Sequence, residues 1–154
     1  MGRRDPGSIY NAMSDQKGIE TIKNGEDLVA IIIHRDFYQE GVQFFTPESF
    51  PQQLGFIAHK AGQIIEPHIH NIARREISVT QEVLFIRKGK LRVDFYDSQQ
   101  RYLDSRVLET GDVILLAGQG HGYEILEDIE MIEIKQGPYL GKDDKIRFER
   151  KRDS

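Results

Sequence analysis

Two histidines one residue apart, His68 and His70, carry the first chemical signal in this chain. In an extended strand residues i and i+2 share a face, so the pair would aim two imidazoles at one point. Pro67, just before them, restrains the backbone. By itself His-x-His is a weak signal, and a surface pair is its ordinary reading. Two further residues change the balance. Glu82 stands seven residues before Gly89, at the head of the next apolar run. His121 follows a strand pattern and a Gly-rich turn in "GDVILLAGQGHG".

In these spacings the chain resembles the cupin superfamily of small jelly-roll barrels. The first cupin motif has Gly, five residues, His-x-His, a few residues, Glu, six residues and Gly. Gly62, His68, His70, Glu82 and Gly89 match it. The second has Gly, a strand, Pro-x-Gly, two residues and His. Gly111, Gly118 and His121 match that one. The likeness covers roughly residues 28–136, with the motifs inside 62–121. Eleven residues separate His70 from Glu82, where the family has three or four. Leu116 replaces the motif proline in a strand one residue shorter, and the usual Asn of the second motif is missing.

The resemblance implies an all-β fold, the double-stranded β-helix or jelly-roll barrel of cupins. It implies His68, His70, Glu82 and His121 as ligands of one divalent transition metal. Neutral imidazoles and a carboxylate suit Fe, Mn, Ni, Zn, Co or Cu. Such a set leaves coordination positions free for water or substrate. The plain alternative pairs Glu82 with Arg87 or Arg92 and leaves His121 capping a turn. Lys60, Arg74 and Arg75 flank the motif in sequence and are candidates to bind an anionic substrate, a carboxylate or a sugar phosphate. Solvated loop charge is the plainer account of them. Tyr123 follows His121 by two, so in a regular strand it shares the same face. Gly62, Gly89, Gly111 and Gly118 are expected at turns that need positive φ or a close backbone approach.

The elements that must position these residues read as short β runs split by turn residues. The pattern gives roughly ten strands: 28–34, 41–45, 54–59, 63–70, 79–87, 91–96, 101–108, 112–116, 123–126 and 130–136. "RKGK" at 87–90 is expected to be a tight hairpin. Residues 46–53 are expected to hold one helical turn behind Thr46. No linker or repeat divides the chain, so residues 13–154 read as one domain with its core at 28–136. Residues 1–12 read as an expression remnant, with a native disordered arm as the alternative. The charged tail is expected at the surface, with Ile146 and Phe148 docking on the body.

Composition bounds the partners. The chain has 154 residues, 38% of them hydrophobic and 30% charged, which suits a globular domain. A net charge of −4 gives no basic excess for nucleic acid or an anionic membrane surface. The chain has no cysteine, so no disulfide and no thiolate enter its chemistry, which fits a cytoplasmic protein. A homodimer is expected, because small jelly rolls must manage exposed strand edges. Three functions are in play. The first is a small metalloenzyme acting on a sugar or carboxylate-containing substrate, with the metal as Lewis acid or O2 site. Dioxygenases and isomerases are among the chemistries the resemblance allows, and the sequence does not choose between them. The second is a non-catalytic small-molecule or metal-dependent sensor. The third is a structural cupin with a degenerate site. The insert 71–81 is the stretch where specificity is expected.

Overall fold

A computed structural model describes residues 16–152 of the chain. The segment 1–12, with its expected remnant or arm, lies outside the described residues. The strands are β1 (Ile19–Asn24), β2 (Asp27–Ile33), β3 (Gly41–Phe44), β4 (Gly55–Ala58), β5 (Glu82–Tyr96), β6 (Tyr102–Glu109), β7 (Val113–Leu116) and β8 (Gly120–Lys135). One short 3-10 turn, Gly141–Asp143, follows them. The protein is therefore all-β. No helix among the described residues is long and apolar enough to cross a membrane. The chain divides into two compact units, residues 38–78 and residues 16–37 with 79–152.

In the smaller unit β3 and β4 form an antiparallel pair, from Gly41 opposite Ala58 to Phe44 opposite Gly55. Their connection was expected to hold a helical turn. It is instead a single tight turn, where the Phe50 amide donates to the Pro47 carbonyl at 3.0 Å. Side chains brace it: the Thr46 hydroxyl donates to Gln53 Oε1 at 2.8 Å, and Gln53 Nε2 donates to the Phe50 carbonyl at 2.8 Å. After β4 the backbone turns at Ala61–Gly62 and then runs without regular structure. The strand expected over 63–70 is absent. Pro67 offers no amide to a ladder, and no neighbouring strand takes up the backbone of this exposed stretch.

The larger unit is a curled antiparallel sheet that forms a half-barrel, in the order β1-β2-β7-β5-β6 with β8 also on β5. Strand β5 is its spine. Glu82 faces Leu116 of β7 on one edge and Lys135 of β8 on the other. Farther along, Lys90 faces Glu109 of β6 and Glu127 of β8. So β6 and β7 follow one another along one edge, and β8 runs the length of the other. Between β6 and β7 the ladder continues through Ile86, whose carbonyl accepts from the Gly111 amide at 2.7 Å.

The core lies on one face of this sheet. Ala30, Ile32, Leu84, Ile86, Leu91, Val93, Phe95, Leu108, Ile114 and Leu116 form one buried cluster. Along β5 the inward positions change parity, from 84 and 86 to 91, 93 and 95. A strand alternates faces strictly, so the change needs an irregularity. The ladder to β8 shifts register between Ile86 and Leu91. Gly89 sits inside that shift at φ +91, and a Cβ there would lie 2.1 Å from the Asp128 carbonyl oxygen. The hairpin expected at 87–90 is thus a bulge in one continuous strand. The two strands expected at 123–126 and 130–136 are likewise one strand, β8, bulged opposite the same place.

Candidate ligand-binding cleft

Register along β5 and β8 brings three of the expected residues together. Glu82 shares the core face with Leu84 and Ile86 at the start of β5. His121 faces Phe95 across the ladder and Tyr123 faces Val93, so both lie on that face too. His121 Nε2 stands 3.0 Å from Glu82 Oε2, with the two side chains 26% and 10% exposed. The His121 and Tyr123 rings stack at a tilt, centroids 5.3 Å apart. The plain alternative for Glu82 fails: Arg87 pairs with Glu130 and Arg92 with Asp94.

These residues line a cleft of about 580 Å³, whose wall also includes Thr80, Gln119 and Tyr96. The cleft holds unspent hydrogen-bonding capacity. His121 Nδ1, the Tyr123 hydroxyl and Gln119 Oε1 are buried and find no hydrogen-bond partner. Buried polar atoms are normally satisfied, so such a cluster marks a place for a ligand or water. The hydrogen bond from His121 holds the Glu82 carboxyl below its ordinary range, against the opposing effect of burial, with help from Lys145 and Lys135. Burial, and then the Glu82 charge, push the Tyr123 hydroxyl far above the ordinary tyrosine range. At neutral pH Tyr123 is a hydrogen-bond donor.

The far wall was not read from the sequence. Residues 144–150 of the tail line the cleft, all but Glu149. Lys135 Nζ donates to Asp144 Oδ2 at 3.1 Å and fixes one end. At the other end Phe148 packs edge-on against Tyr96 with ring centroids 5.0 Å apart, and the Tyr96 hydroxyl donates to the Lys151 carbonyl at 2.9 Å. Arg150 reaches both Asp94 and Glu124. The alternating apolar residues of the tail hinted at this docking. Phe148 docks as expected, whereas Ile146 stays 86% exposed.

The other expected site residues belong to the smaller unit. His68 and His70 lie on the exposed stretch after β4, their rings edge-on with centroids 5.2 Å apart, and His68 Nδ1 is 3.0 Å from the Glu66 carbonyl. Lys60 pairs with Glu40 at 3.6 Å. Arg74 and Arg75 are exposed on the same stretch. Among the described residues no group of three or more His, Cys, Asp or Glu side chains gathers as a metal ion requires. Comparison with protein-family models, with curated proteins and with solved structures finds no match.

Proposed function

We propose that the cleft at Glu82, His121 and Tyr123 is the working site of a cupin metalloprotein, a small metalloenzyme for a small substrate. The observation that carries this reading is the 3.0 Å approach of His121 Nε2 to Glu82 Oε2 on the wall of the cleft, a spacing that two ligands of one ion would show. A carboxylate and an imidazole at this spacing fit as two ligands of a borderline divalent ion. Within the larger unit Glu82 and His121 would hold it, with water or substrate completing the coordination. Such an ion, when bound, supplies Lewis-acid polarisation or an O2 site. The chain's own part is positional. The buried Tyr123 hydroxyl offers a hydrogen bond to a substrate oxygen. The apolar face behind it, Val93 and Phe95, limits water on that side.

A homodimer belongs to the same reading. The outer edge of β8 has no strand beside it among the described residues, and Ile132 and Ile134 are exposed near it. One observation favours a second reading, binding without catalysis. Both carboxylates that line the cleft are engaged, Glu82 with His121 and Asp144 with Lys135, so no free carboxylate base faces the ligand space.

Metal analysis of the purified full chain tests the first reading. Bound transition metal near one ion per chain is expected, and H121A and E82Q should lose it while staying folded. Wild-type protein that takes up no ion after soaking in Fe, Mn, Ni, Zn, Co or Cu would remove the metal. Wild-type mass by light scattering should be that of two chains. Turnover of no candidate substrate by metal-loaded protein that still binds ligands would leave the binding module.

A further inference from the structure

The cleft lining carries three permanently cationic side chains, Lys145, Arg147 and Arg150, against two carboxylates, Glu82 and Asp144. Glu82 pairs with His121 and Asp144 with Lys135 from outside the lining. Arg150 is matched by Asp94 and Glu124, which stand outside the lining. Two cations remain, Lys145 and Arg147. Both line the cleft, and neither has an ion-pair partner among the described residues. They are not free to wander as ordinary surface lysines and arginines do. The backbone that carries them is tied at Asp144 on one side and at Phe148, Arg150 and Lys151 on the other. Three residues between two anchors have little conformational freedom left to lose when a ligand arrives.

Resting on the reading of this cleft as the ligand site, we infer that its ligand is a small anion-bearing molecule, carrying a carboxylate or phosphate gripped by Lys145 and Arg147. Arg147 offers a planar fork for two oxygens, and Lys145 a compact point charge. The polar body of the ligand extends inward. There it meets the unpartnered Tyr123 hydroxyl as donor and Gln119 Oε1 as acceptor. The volume of about 580 Å³ suits a metabolite-sized molecule rather than a polymer segment. The tail is in this account a specificity element, and the cations expected from sequence, Lys60, Arg74 and Arg75, are not the ones that grip the anion.

Calorimetric titration of the metal-free full chain with inorganic phosphate, and separately with succinate, tests the inference at low ionic strength, where surface electrostatics is least screened. Wild type should bind at least one of the two probes, and which one binds tells phosphate from carboxylate. K145Q/R147Q should weaken that binding by about tenfold or more, the loss typical of charge-assisted contacts. K142Q, an exposed lysine of the same tail outside the cleft, should leave it unchanged. Both positions are exposed, so folding should survive, and K145R/R147K should retain most of the affinity. Failure of both probes to bind wild type, or equal binding by wild type and K145Q/R147Q, overturns the inference. Metal uptake by the same preparations reports separately. Metal retained by K145Q/R147Q with unchanged phosphate affinity sinks the anion grip alone. Cation-dependent phosphate binding in a chain that takes no metal sinks the metal alone.

Discussion

Asp94 and Arg150 stand 56 residues apart in sequence, and Arg150 donates to the Asp94 carboxylate at 2.6 and 2.7 Å. Asp94 is fully buried near the end of the sheet's spine, and Arg92 holds its second oxygen at 2.7 Å. A buried carboxylate is costly unless its oxygens are satisfied. Here the tail completes that satisfaction. Docking of the tail and the burial of Asp94 are therefore one event, which makes the cleft's outer wall part of the fold.

Replacing Asp94 by Asn should release the tail. The two arginines it leaves are partly exposed and can return to water, so the cost is expected at about 1–3 kcal/mol. Urea denaturation measures it. Trypsin should also cut at Arg147 or Arg150 sooner than in wild type. Equal midpoints together with equal cleavage rates would contradict the coupling.

Acid should release the same wall. Burial raises the Asp94 pKa, but hydrogen bonds from Arg92 and Arg150 outweigh it and leave the group below its ordinary value. Arg150 does the same for Glu124. A carboxylate lowered in the fold adds stability above its unfolded pKa, about 4, and that stability is lost as pH falls through the lower folded value. Docking should hold down to about pH 4 and fail below it. Chemical shifts of the Phe148 and Tyr96 rings follow the change, and a tail that undocks between pH 5 and pH 7 would refute it.

Gly89 to Ala should be among the most damaging single-methyl additions in the chain. The residue pays for positive φ, about 1–2 kcal/mol, and its Cβ also runs into the Asp128 backbone. Gly25 is the control, at φ +61 with nothing within 4 Å of its Cβ. G25A should show the conformational cost alone, and thermal melts of the two variants should differ clearly. Equal melting points would mean that the bulge relaxes freely.

Tyr123 to Phe should leave stability nearly unchanged, within about 0.5 kcal/mol, because the hydroxyl makes no hydrogen bond of ordinary geometry and meets Glu82 only in a weak contact. Ligand binding in the cleft should weaken all the same. A large drop in melting temperature would show that the hydroxyl is bonded within the fold.

The sequence announced the β class through its short alternating runs, and it announced the glycines well. Gly62, Gly89, Gly111 and Gly118 all have positive φ. It misread the glycine at 89 as a turn because a bulge and a hairpin share the same local chemistry, and only the partner strand distinguishes them. β1 was passed over because "IETIKN" mixes charge with apolar positions and depends on β2 for its pairing. In the site, Glu82 and His121 were picked out by their spacing to Gly89 and Gly118, and Tyr123 by strand parity with His121. The tail's cations were not, since the ion pairs that dock it join residues far apart in the chain. For 63–70 the mix of apolar and polar positions suggested a strand, yet such a pattern alone does not supply a neighbouring strand.

The place of β2 between β1 and β7 has a kinetic side. The first hairpin of the sheet, β1 with β2, forms from neighbouring residues, but its seat is a strand encoded near residue 115. During synthesis the hairpin must wait, with the apolar run of β2 uncovered, until most of the chain has left the ribosome. Closing so long a loop before any sheet contact rewards it makes folding slow, and that wait is the interval in which the nascent chain is most exposed to aggregation or in need of a chaperone.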